Sequence, residues 1–117
     1  MISDPINLAW NTGAREDTAV LDVNGPLTLN NLFSFQDEVA RVKPQLLIID
    51  LTNCPYIDSA GLGSLINTYV AAEKRGGKLL LAGVNNRVAA LLETAKVHLL
   101  LKSFPTAQAA EESLPTP

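Results

Sequence analysis

The chain has 117 residues, 47% hydrophobic and 18% charged, a length and balance that suit one compact domain and exclude global disorder. Its net charge of −3 supplies no bulk attraction to nucleic acid or to an anionic membrane. The single cysteine, Cys54, excludes an internal disulfide, and no apolar run approaches the roughly 20 residues of a membrane span.

The opening Met1-Ile2-Ser3-Asp4-Pro5 lacks the charged and apolar regions of a secretory signal, so the expected compartment is the cytoplasm. Residues 6–10 read as a short strand, joined through the polar loop 11–17 to an alternating strand over 18–24 that Gly25-Pro26 ends. Leu29, Leu32, Phe33, Gln36, Val39 and Ala40 recur at helical spacing, with Asn30 or Thr28 as N-cap and Pro44 as the stop. The run Leu46-Leu47-Ile48-Ile49-Asp50-Leu51 is a strand covered on both faces.

A second helix opens near Ser59, with Leu62, Leu65, Ile66, Tyr69 and Val70 on one stripe and Gly76-Gly77 at its end. Residues 78–82 form another buried strand. A third helix begins near Asn86, with Val88, Leu91, Leu92 and Ala95 turned inward. Residues 97–103 read as a further strand, and Thr106 caps a last short helix through Ala107, Ala110 and Leu114. The tail Pro115-Thr116-Pro117 is expected to fray.

The order β-β-α-β-α-β-α-β-α predicts an α/β fold: a mostly parallel sheet of about four strands, an antiparallel N-terminal edge strand and about four helices. Residues 1–117 are expected to form a single domain with its core over 6–114.

The tract Tyr56-Ile57-Asp58-Ser59-Ala60-Gly61-Leu62-Gly63 places a serine beside a carboxylate at the positive end of a helix dipole. No catalytic set or metal-ligand spacing accompanies it, so the expected chemistry is done to Ser59 rather than by it. Ser59 also fits a plain N-cap, and Asp58 a second cap or turn former. Gly61 and Gly63 fit tight packing as well as close approach by a partner. Cys54 reads as a small buried apolar group and His98 as a satisfied, partly buried imidazole in a strand.

These elements and the run Ile57-Asp58-Ser59-Ala60-Gly61-Leu62-Gly63 resemble the STAS family of sulfate-transporter and anti-sigma-factor-antagonist domains. Residues 21–27 are similar to the family's second strand and turn, and residues 76–83 to its next strand. The resemblance implies a free-standing bacterial antagonist, a binding module rather than an enzyme, whose phosphorylated residue is Ser59. It implies docking through Asp58, Ser59, Ala60, Gly61, Leu62 and Gly63. The partners it implies are an anti-sigma factor that is also a serine kinase, sequestered while Ser59 is unphosphorylated, and a serine phosphatase. No cofactor, metal or direct nucleic-acid contact is implied. Thr28 stands where such antagonists often carry an acid, and Ala60 where a second hydroxyl residue is common.

Other classes leave weaker marks. Gly61-Leu62-Gly63-Ser64-Leu65-Ile66 starts like a dinucleotide fingerprint, but Ile66 replaces the third glycine. Ser59 lacks the glycine frame of a nucleophile elbow. The alternative within the resemblance is a non-switching scaffold subunit of a stress-sensing or lipid-transport complex.

Overall fold

The computed structural model describes residues 5–115; the expectations for the first four residues and for the end of the tail fall outside that range. Five strands form one sheet in the order β1-β2-β3-β4-β5: β1 Asn7–Thr12, β2 Thr18–Asn24, β3 Leu46–Asp50, β4 Lys78–Ala82 and β5 Ser103–Phe104. β1 runs antiparallel to β2, and the other neighbours are parallel. The helices are α1 Leu32–Arg41, α2 Ser59–Lys74, α3 Asn86–Thr94 and α4 Ala107–Glu112.

The uninterrupted apolar run of β3 has a direct physical reason. Leu47 and Ile49 enter a core built with Phe35, Leu62, Leu65, Val88 and Leu92, from α1, α2 and α3. Leu46 and Ile48 enter a smaller core on the opposite face, closed by Ala110. A strand buried on both faces has no polar side to show, and each such Leu or Ile contributes about 1.5–3 kcal/mol by leaving water.

Several expectations are corrected by the packing. The N-cap of α1 is Asn31, not Thr28 or Asn30. Leu32 and Phe35 are buried there, whereas Leu29 and Phe33, members of the expected helical repeat, are 64% and 68% exposed. Leu29 lies in the turn before the helix begins, and Phe33 stands on the side of α1 turned to solvent. Val70 of α2 is likewise exposed. Asn85 caps α3, its Oδ1 accepting from the Val88 N–H at 2.8 Å, and Ala95 is an exposed C-cap.

The largest correction concerns residues 97–103. Only Ser103 and Phe104 pair with β4. The N–H groups of Leu100 and Leu101 both donate to the Val97 carbonyl, at 3.0 and 2.8 Å, so the apolar run closes into a helical turn. Lys96 initiates the reversal with φ of 61°. His98 is therefore an exposed turn residue, not an imidazole inside a strand.

Candidate functional site

The segment that carries Ser59 is fastened to the loop after β2. Gly25 N–H donates to the Asn53 carbonyl at 3.0 Å, and Leu27 N–H to the Tyr56 carbonyl at 3.2 Å. Asp58 N–H donates back to the Leu27 carbonyl at 3.2 Å, and Leu27 bridges Ile57 in parallel. Both chains thus continue the sheet's pairing for a few residues past its edge.

Asp58 is the N-cap of α2. One carboxylate oxygen accepts from the Gly61 N–H at 2.8 Å, the other from the Leu29 N–H at 3.0 Å. A single side chain therefore ties the helix start to the β2–α1 loop. Such a cap is worth about 1 kcal/mol, and the second bond adds to it. Thr28 helps to build the same loop: it is buried, its N–H donates to Asn31 Oδ1 at 3.0 Å and its Oγ1 accepts from the Asn30 N–H at 3.2 Å.

With the cap assigned to Asp58, Ser59 becomes the first residue of α2 and is exposed. The first intrahelical bond runs from the Leu62 N–H to the Asp58 carbonyl at 2.9 Å. The N–H groups of Ser59 and Ala60 precede it, at the positive end of a 16-residue helix.

The remaining motif residues divide by direction. Gly61 and Leu62 are buried, while Asp58, Ala60 and Gly63 are partly exposed. A Cβ on Gly61 would lie 2.2 Å from the Leu27 carbonyl oxygen, so only glycine lets the helix approach this loop. A Cβ on Gly63 would meet nothing within 4 Å. Ser64 and Thr68 are buried on the α1 side, where they line a cavity of about 400 Å³ with Gln36, Val39 and Ala40.

Leu29 and Phe33, members of the helical apolar repeat in the sequence, stand near the site. Leu29 is bonded to Asp58 through its N–H, so the start of α1 brings two exposed apolar side chains to the Ser59 end of the sheet. Across the site, the Arg87 guanidinium lies 4.7 Å from the centre of the Tyr56 ring, and Asn85 Nδ2 donates to the Pro55 carbonyl at 3.1 Å. Cys54 is fully buried, and burial pushes its thiol above the usual range, which keeps it protonated and unreactive at neutral pH. A cavity of about 700 Å³ elsewhere on the molecule is lined by Arg15, Asp17, Leu46 and Lys78 and by no residue of the Asp58–Gly63 tract.

The acid–serine pair thus opens α2 at one end of a three-layer α/β sheet. Comparison with known proteins identifies the family. The chain belongs to the STAS domain family, whose profile matches residues 9–110. An anti-sigma-B factor antagonist from Listeria monocytogenes is 37% identical over 57 residues, 48% of this chain, and the chain spans about half the length of that relative (50%). The fold is shared with an anti-sigma factor antagonist from Mycobacterium paratuberculosis at TM-score 0.79 and 19% identity, covering 96% of this chain and 97% of that one. It is also similar to the STAS domain of a SulP transporter from Vibrio cholerae, at TM-score 0.72 and 27% identity, covering 86% and 83%. No helix among the described residues is long and apolar enough to cross a membrane.

Proposed function

We propose that the chain is a cytoplasmic bacterial anti-sigma-factor antagonist: a single STAS unit, not an enzyme, that binds an anti-sigma factor while Ser59 is unphosphorylated and releases it when Ser59 carries phosphate. The observation that carries this reading is the division of labour at the helix start, where Asp58 does the capping and leaves the Ser59 hydroxyl exposed. The antagonist named among the relatives supports the choice of partner.

Phosphate on Ser59 adds about 1.5–2 negative charges beside Asp58. The open N–H groups of the first turn and the helix dipole accommodate that charge, so the fold survives. A partner docked on the same surface meets new bulk and new charge. Leaving such a charge unpaired at an interface costs several kcal/mol, and about 1.4 kcal/mol already weakens binding tenfold. The docking face comprises Asp58, Ser59, Ala60 and Gly63, with Gly61 and Leu62 shaping it from beneath and Leu29 and Phe33 supplying apolar anchors. A serine kinase, identical with the anti-sigma factor, and a serine phosphatase set the two states.

Binding of the candidate anti-sigma factor to Ser59→Asp, Ser59→Ala and the unaltered chain tests the reading. The expected result is a loss of at least tenfold for Ser59→Asp, retained binding for Ser59→Ala, and thermal midpoints within a few degrees of one another. Equal binding by all three would favour the non-switching scaffold.

A further inference from the structure

In β4 the backbone groups alternate between its two neighbours. Lys78 N–H donates to the Gln45 carbonyl on the β3 side at 2.8 Å. Leu81 N–H donates to the Lys102 carbonyl at 2.8 Å and Gly83 N–H to the Phe104 carbonyl at 2.9 Å, both on the β5 side. By the same alternation the N–H and C=O of Leu79 face the β5 side, where β5 has not yet begun. Among the described residues Leu79 therefore has no strand partner on this side, although it is itself buried, at 2% exposed, and an unpaired edge is a template for another strand once it is reached.

A slot of about 410 Å³ runs along that edge. Tyr69 and Glu73 of α2 bound it together with Ser113 and Leu114 at the end of α4, and the turn contributes Leu99, Leu100 and Lys102. Leu99 is 77% and Leu100 41% exposed, so the slot has an apolar mouth that nothing in the chain covers among the described residues. Lys78 and Lys102 line it against the single carboxylate of Glu73, which already accepts from the Tyr69 hydroxyl at 3.3 Å. The slot is thus locally cationic on a chain whose net charge is −3.

From this geometry we infer that the lower edge of β4 is a second docking site, which takes an extended acidic–apolar segment of a partner protein as an added strand. Main-chain pairing at Leu79 gives register, Leu99 and Leu100 receive alternate apolar side chains, and Lys78 and Lys102 select for acids. Three residues of added strand span the stretch 78–80, about 10 Å at 3.3 Å per residue. The site is separate from the Ser59 surface and does not depend on the state of that serine.

Amide hydrogen exchange of the whole chain provides the test, with an end-capped peptide of alternating glutamate and valine as probe and one of alternating lysine and valine as control. In the free chain the Leu79 amide should exchange at least tenfold faster than that of Leu81. Saturating acidic peptide should slow Leu79 at least tenfold, leave Leu81 unchanged and bind at least tenfold more tightly than the basic peptide. The double substitution Lys78→Glu and Lys102→Glu should invert that preference, and Leu99→Ser, at an exposed position, should weaken binding at least threefold. Four results would overturn the inference: Leu79 already as protected as Leu81, protection that appears on raising protein concentration without peptide, equal binding of the two peptides, or no binding. The first would mean that the chain's own residues 97–101 fill the slot, and the second that a second copy does.

Discussion

The two stretches of backbone that run past the regular sheet are finished in opposite ways. Beyond β2 and β3, nearly every loop group has a partner: Gly25, Leu27 and Asp58 bond across the gap, and the Asp58 carboxylate holds two more N–H groups. At the lower edge of β4 the pairing strand is only two residues long, and Leu99 and Leu100 stand exposed beside it. The first region is densely hydrogen-bonded around an exposed serine, so that on the proposed function a charge added there acts on whatever docks rather than on the fold. The second has backbone capacity left over. A tightly satisfied surface suits a switch; an unsatisfied edge suits capture of a strand.

Gly61→Ala attacks the first region most directly. Its methyl group would overlap the Leu27 carbonyl oxygen, and an expected loss of about 2–4 kcal/mol in denaturant unfolding, with loss of partner binding, follows from the forced backbone shift. Gly63→Ala is the matched control. It meets open space and should change stability by no more than about 1 kcal/mol, gained through helix propensity. A similar loss for both substitutions would mean that close approach to Leu27 is not what Gly61 provides.

Next in size is the effect on docking of the exposed pair at the start of α1. Leu29→Ser with Phe33→Ser should leave the fold intact, since both side chains are mostly in solvent, and weaken anti-sigma-factor binding at least tenfold, about 1.4 kcal/mol. Unaltered affinity would confine the docking face to α2. Asp58→Ala removes a cap and a cross-loop bond together and should cost about 1–2 kcal/mol in thermal unfolding. Asp58→Asn can keep one acceptor, so it should cost less while removing the charge; equal costs would assign the effect to charge rather than to hydrogen bonding.

The smallest expected effect lies at the C-terminal ends of β2 and β3, where Asp22 stands opposite Asp50. Burial, and then the Asp50 charge, raises the Asp22 carboxyl above its ordinary 3.8, although Asn11 donates to it at 2.7 Å. A raised value in the folded chain means that protonated Asp22 stabilises below the unfolded value, and that this contribution is lost as pH rises through the folded one. Asp22→Asn should therefore raise stability at pH 7, by less than about 1 kcal/mol for this partly exposed group, and add nothing well below pH 3.8. A gain that persists in acid would implicate packing instead.

Much of this was legible in the chain. The β3 run and the α2 stripe are strong periodic signals, and the acid before Ser59 sits at an N-cap position. What escaped were choices between equally apolar alternatives. Residues 97–101 have the composition of a strand, but a left-handed Lys96 and two N–H bonds to one carbonyl wind them into a turn, a distinction that a short apolar run does not encode. In α1 the pattern could not say which apolar residues meet the sheet. Tertiary packing chose Leu32 and Phe35, and left Leu29 and Phe33 for the surface. The division of roles between Asp58 and Ser59 was open for the same reason, because either side chain can cap a helix.

On the proposed function, the exposed hydroxyl of Ser59 is the point of control. Its most direct test is intact-mass measurement of the chain after incubation with ATP and a candidate serine kinase, beside Ser59→Ala, with partner binding followed in the same samples. The expected result is one added phosphate, absent from Ser59→Ala, and loss of the anti-sigma factor in step with its appearance. Phosphate on Ser59→Ala, or a phosphorylated chain that still holds its partner, would contradict it.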